Sequence, residues 1–259
     1  MLVEGSEAVN WNEKTCWIAE LGLIAYEPAF DLQRRLVAAR KAGLIPDVLL
    51  LCEHPHVITL GRNGHRENLL ASEHLLRQMG VEFRPTDRGG DITYHGPGQI
   101  VGYPILDLTG IRRDVAWYVR QLEEAMIRAT SDFGITAVRK PGMTGVWVEG
   151  ADGSAAEKLA AIGVHLSRWV TSHGFAYNVS TDLRYFDLIV PCGIPDKRAT
   201  SLERLLGRAL GREEVAPRIV VHLGDVFGRE MQAVSRESLE QFLEEYASEQ
   251  YAVTAHAVA

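Results

Sequence analysis

Apolar and polar positions along the chain fall into short blocks whose period changes. Between Cys16 and Ile24 the apolar residues partly alternate, as in a half-buried strand. Leu32, Leu36 and Ala39 recur at helical spacing within Ala29 to Ala42, and Gly43 follows as a stop. Asp47 to Cys52 reads as a buried strand, and strand-like runs recur at Val57 to Leu60, Asp91 to Tyr94, Gln99 to Leu108, Gly145 to Val148, Lys158 to Val170 and Phe175 to Ser180. A long helix is expected after Asp114, whose carboxylate accepts from the first free amides; it carries Val115, Val119, Leu122 and Met126 and ends at Gly134. Thr200 and Glu203 have capping-box spacing ahead of Leu205 and Leu206, which predicts another helix start. From Glu213 onward the chain reads as helical and acidic, with Leu239, Phe242, Leu243 and Tyr246 in one stripe. With no repeat, linker or second boundary, the expectation is one domain over 12–250, of which 213–250 is a helical C-terminal extension.

Composition narrows the class. A chain of 259 residues that is 46% hydrophobic and 24% charged supports one large core. A net charge of −7 argues against a nucleic-acid binder, which needs a basic face. The three cysteines, Cys16, Cys52 and Cys192, cannot all pair within the chain and match no metal-ligand spacing. A reduced, cytoplasmic setting without metal follows, and no apolar run approaches the ~18 residues of a membrane span.

Three segments carry unusual chemistry. Arg88 to Gln99 reads RGGDITYHGPGQ. Its glycines let backbone approach a ligand while Arg88 and His95 supply donors, although a hairpin with two tight turns explains the same pattern. Lys158 heads the apolar stretch KLAAIGVHLSRWV. Desolvation there would lower the amine's pKa, whereas an edge-strand lysine would keep its head in water. Gly163 and Gly174 again suit close backbone approach, and His165 and His173 fit structural and functional roles equally. Cys192 sits in Val190-Pro191-Cys192-Gly193-Ile194-Pro195, a tight loop that fixes the thiol and leaves space around it. Lys197, Arg198 and the helix start downstream would favour thiolate. Cys16 and Cys52, by contrast, read as small hydrophobes.

In this order and at these separations, the three segments resemble the octanoyltransferases of lipoate biosynthesis, relatives of the lipoate and biotin protein ligases. HPHVITLGR from His54 to Arg62, NLL from Asn68 and TSLERL from Thr200 also fit, so the resemblance spans about Leu21 to Leu206. Ala199 stands where a valine is common. The resemblance implies an α/β fold, a mixed β-sheet core flanked by helices like the biotin/lipoate protein ligase catalytic domain. It implies that Cys192 takes the octanoyl group from octanoyl acyl carrier protein as a thioester, with Lys158 lowering its pKa. Arg88, Gly89, Gly90, Asp91, Ile92, Thr93, Tyr94 and His95, with Ala161, Ile162 and Gly163 and with Gly174, Phe175 and Ala176, correspond to the stretches lining the acyl site. No cofactor is implied, because the donor arrives activated.

The implied acceptors are lipoyl domains of 2-oxoacid dehydrogenase complexes and the glycine cleavage H protein. Such partners are acidic, so Arg112, Arg113, Lys140, Lys197 and Arg198 are the cations expected near the site mouth. Chemically, a thiolate is both a good nucleophile toward a thioester and a good leaving group in the next step. The competing readings are an ATP-dependent lipoate or biotin ligase, a thiol hydrolase using His165 or His173, and a binding module that holds an acyl chain or a lipoyl domain without reacting.

Overall fold

The computed structural model describes residues 11–150, 155–190 and 198–244. Cys192 and Lys197 therefore lie outside the described residues, as does Tyr246. An eight-stranded mixed sheet runs in the order β11-β1-β2-β6-β10-β9-β8-β7. Its strands are β1 (Thr15–Leu23), β2 (Asp47–Glu53), β6 (Gln99–Ile105), β7 (Ala137–Lys140), β8 (Met143–Val148), β9 (Glu157–Ser167), β10 (Val170–Asn178) and β11 (Glu230–Ala233). Only β11, β1 and β2 pair in parallel; from β2 through β7 the sheet is antiparallel. A small sheet, β4-β3-β5, is built from β3 (Val57–Leu60), β4 (Glu82–Pro85) and β5 (Ile92–His95).

Helices cover both faces of the large sheet. On one face α1 (Tyr26–Lys41) turns Ala29, Leu32, Leu36 and Ala39 inward against Val48, Leu50, Val101 and Tyr103. On the other, α3 (Val115–Ser131) and α5 (Arg212–Phe227) pack together. Asp114 caps α3 as expected, its carboxylate accepting from the Trp117 amide at 2.9 Å. Tyr118, Leu122, Ala125, Met126 and Ala129 are buried at helical spacing, which is why an otherwise polar segment holds as helix here. Each large apolar side chain buried this way contributes about 1.5–3 kcal/mol.

Four sequence expectations change. The run from Lys158 to Val170 is two strands, because Arg168 and Trp169 turn back at φ 51° and 66° as a two-residue hairpin. The helix α4 (Leu202–Leu206) is capped by Ser201, whose hydroxyl accepts from the Arg204 amide, whereas the Thr200 hydroxyl is buried inside. The segment after Glu213 is not wholly helical, since β11 adds an edge strand beside β1. Nor does the described part of it stand apart from the core: Val215, Ile219, Leu223 and Phe227 of α5 join the core under α3, and Leu239 and Leu243, in the helical stretch 236–244, are buried against the opposite face. The short polar helix α2 (Glu73–Gln78) and the strands β4, β7 and β11 have no counterpart in the sequence reading.

No helix among the described residues is long and apolar enough to cross a membrane.

Candidate active site

The small sheet sits over one end of β9 and β10, and the join is made by backbone. Gly89 donates its amide to the Val164 carbonyl at 2.9 Å. Gly163 lies directly beneath, where a Cβ would stand 2.8 Å from the Gly89 carbonyl oxygen, so only glycine permits the approach. Between the two layers lies a cavity of about 240 Å³. Its floor is Val101, Tyr103, Ala161, Gly163, Gly174 and Ala176, and its roof Arg88, Gly90, Asp91, Ile92, Thr93 and His95; Ile162 and Phe175 also border it but pack with the core on the opposite face of the sheet. The glycines and alanines of β9 and β10 leave this face of the sheet shallow, and the missing side-chain volume is the cavity.

Lys158 lines the same cavity, near the start of β9. Its Nζ lies 4.7 Å from the centre of the Trp147 ring on β8, a cation–π contact that orients the amine. The backbone of Lys158 is fixed from both sides: its amide donates to the Arg198 carbonyl at 2.8 Å and its carbonyl accepts from the Thr200 amide at 2.9 Å. A line of side chains ties this place to the roof. His95 Nδ1–H donates to Gln99 Oε1 at 2.8 Å, Gln99 Nε2 donates to Asn178 Oδ1 at 2.9 Å, and Asn178 Nδ2 donates to the Thr200 carbonyl at 3.0 Å. Burial, reinforced by His54 and Arg88, lowers His95 to about 3, so its ring stays neutral and serves as a fixed donor.

Arg88, His54 and His173, polar groups buried around the cavity, are each paired. Arg88 is 7% exposed and donates through Nε and Nη2 to Thr59. His54 Nδ1–H donates to the Ile24 carbonyl and Nε2 accepts from the Tyr103 hydroxyl, each at 2.7 Å, which sets the tautomer of a ring that burial keeps neutral. His173 has φ 55°, donates its amide to Gln33, and holds Asp87 through Nε2 at 2.6 Å. That hydrogen bond keeps the Asp87 carboxyl below its ordinary range. His165 lies 3.9 Å from the same carboxylate.

Of the residues expected at the acyl site, two do not line this cavity. Tyr94 follows the strand alternation to the opposite side of the small sheet, where it stacks on Tyr185 and donates to or accepts from His56. Gly89 instead makes the backbone join described above. Residues that line the cavity without having been singled out in the sequence are Tyr26, Val101, Tyr103, Trp147 and the turn Gly142, Met143 and Thr144, while His173, there weighed equally as structural or functional, lines it too. Of these, only an aromatic next to Lys158 across a hairpin was readable in principle. Among the expected cations, Lys140 pairs with Glu149 and Arg112 with Asp114, while Arg113 and Arg198 are exposed. Cys16 and Cys52 are buried and burial pushes both thiols up, which makes them inert.

The chain is similar to known proteins along most of its length. Residues 25–224 match the family described as the lipoyl protein ligase A/B catalytic domain. An octanoyltransferase of Solibacter usitatus is 56% identical over 218 residues, covering 84% of this chain and 96% of that protein. One from Acidobacterium capsulatum is 51% identical over 223 residues, covering 83% and 91%. Among solved structures, the bipartite lipoate protein ligase of Thermoplasma acidophilum superposes with a TM-score of 0.70 at 14% identity, covering 89% of this chain and 91% of that one. A lipoate-protein ligase A bound with ATP gives 0.67 at 14% identity, covering 90% and 94%. At such identities these two likenesses speak to the fold. The chain belongs to the octanoyltransferases of the lipoyl protein ligase A/B catalytic-domain family, acyltransferases of lipoate biosynthesis.

Proposed function

We propose that this protein moves an octanoyl group from acyl carrier protein to a lysine of a lipoyl domain through a thioester on Cys192, with Lys158 as its partner. The observation that carries this reading is the placement of Lys158 on the wall of an apolar-floored cavity, its backbone bonded to Arg198, close in sequence to Cys192. Cys16 and Cys52, buried with raised thiols, are unsuited to the task, which leaves Cys192 as the nucleophile. A cytoplasmic setting suits a reduced thiol.

Charge explains the order of steps. Beside a thiolate, the Lys158 ammonium stabilises the anion and is itself stabilised. The thiolate attacks the donor thioester carbon, the donor C–S bond breaks, the donor sulfur leaves as a thiol with the Lys158 proton, and the Cys192 sulfur becomes a neutral thioester. Lys158, left as a neutral amine by that transfer, accepts a proton from the incoming lysine amine. That amine attacks the Cys192 thioester, an amide forms, and the thiolate leaves. Acceptors of this class are lipoyl domains such as those of 2-oxoacid dehydrogenase complexes and the glycine cleavage H protein. Burial of the chain contributes about 0.8 kcal/mol per methylene and favours medium chains over short ones.

Incubation with octanoyl acyl carrier protein alone should give a hydroxylamine-sensitive adduct of octanoyl mass that is absent in Cys192→Ala. No adduct, with transfer supported instead by ATP and free octanoate, would overturn the reading in favour of a ligase.

A further inference from the structure

Resting on the acyl-transfer reading above, we infer that the Tyr103 ring, backed by Tyr26, is the end-stop that sets the length of acyl chain the enzyme accepts. The sheet supplies the scale. Ala161 on β9 pairs with Ala176 on β10, and Ala176 with Val101 on β6. These three form one row of the cavity floor. Two residues further along each strand the same face carries Gly163, Gly174 and Tyr103, a second row. Along β9, Lys158 precedes the first row by three residues, about 10 Å at strand rise and close to the length of an extended eight-carbon chain, and the Tyr103 hydroxyl reaches back over that row to His54, which touches Cys52 opposite Val101.

The rows differ in shape. The first is low throughout. In the second, two glycines leave the floor open and one large ring stands beside them. That ring is fixed, because Tyr103 is 4% exposed and its hydroxyl donates to His54 Nε2, while His54 is itself bonded to the Ile24 carbonyl. Tyr26, 3% exposed, bonds the Thr86 hydroxyl at 3.0 Å. Swinging either ring aside would leave buried polar groups unpaired, so the wall does not yield to a longer chain as a lone Leu or Met would. A chain whose carbonyl stands beside Lys158 reaches the first row at about eight carbons and there meets the ring that leans back over it.

The test uses the full-length protein, a lipoyl-domain acceptor, and hexanoyl, octanoyl and decanoyl thioesters of pantetheine, with kcat/KM measured for each. Tyr103→Leu should raise the decanoyl-to-octanoyl ratio about tenfold, the effect of admitting two further methylenes. Tyr103→Phe, which keeps the ring and loses its anchoring hydroxyl, should shift the ratio by less than Tyr103→Leu. Ala161→Leu adds bulk at the first row and should move the preference to hexanoyl. An octanoyl preference unchanged in both Tyr103→Leu and Ala161→Leu overturns the inference, as does a Tyr103→Phe shift equal to that of Tyr103→Leu. Should Tyr103→Leu not fold, Ala161→Leu decides alone, a hexanoyl shift supporting the end-stop and an unchanged preference overturning it. A wild-type protein that transfers none of the three chains would instead overturn the acyl-transfer reading.

Discussion

The two faces of the large sheet solve different problems with the same strands. Under α3 and α5 the face is filled by Leu122, Met126, Leu159, Tyr177 and Ile219, all fully buried. On the cavity side the corresponding positions of β9 and β10 are Ala161, Gly163, Gly174 and Ala176, and the groups around the cavity are neutral histidines, tyrosines and a paired arginine. The filled face contributes cohesion. The shallow face gives up packing to make room for a chain, and holds its walls by hydrogen bonds rather than by close contact. Stability and substrate choice are thus assigned to opposite sides of one sheet, and substitutions should separate them.

The largest effect is expected where the comparison is sharpest. Lys158→Ala should lower the rate of acyl transfer about 10²–10⁴-fold in steady-state assays, the usual range for a lost acid–base group, while the melting temperature scarcely moves. A large fall in melting temperature with activity retained would erase the distinction between the faces. Leu122→Ala, on the filled face, should do the reverse: a loss of about 2–5 kcal/mol in urea unfolding with the acyl-chain preference unchanged.

Acid should weaken the cavity side. His54 and His95 are held neutral by burial, so the unfolded chain binds more protons than the folded one below about pH 6.5, and stability falls as pH drops. For His95 the loss continues down to about 3. Asp87, held low by His173, adds to it only in the carboxylate range. Melting temperatures across this window should show the slope, and His95→Gln should make it shallower. The smallest effect is expected at the start of α4, where Ser201→Ala should cost about 1 kcal/mol in the same unfolding measurement.

Much of this architecture was legible in the sequence where a local pattern determines the outcome. The apolar run of β2, the stripe and Asp114 cap of α3, and the glycine-rich segment of the roof are of that kind. The strands β4, β7 and β11 were not, because EFRP, AVRK and EMQA have no strong alternation and become strands only through the neighbour they pair with. The Ser201 cap was missed by one residue because Thr200 and Ser201 both carry a capping hydroxyl, and the tertiary path buries Thr200. At the site, the family pattern gathered the roof and the small residues of the floor. It did not separate Tyr94 from His95, although their adjacency in a strand sends them to opposite sides. Tyr103 lay within an unremarkable strand, and its part in the cavity follows from register alone.

Where the acyl chain lies relative to Lys158 decides whether the shallow face of the sheet is the acyl site. A crystal structure of the protein after reaction with octanoyl pantetheine tests this directly. Continuous density is predicted from the Cys192 sulfur past the Lys158 amine, over Ala161 and toward the Tyr103 ring. A chain attached to another residue, or lying outside the space between the two sheets, would contradict it.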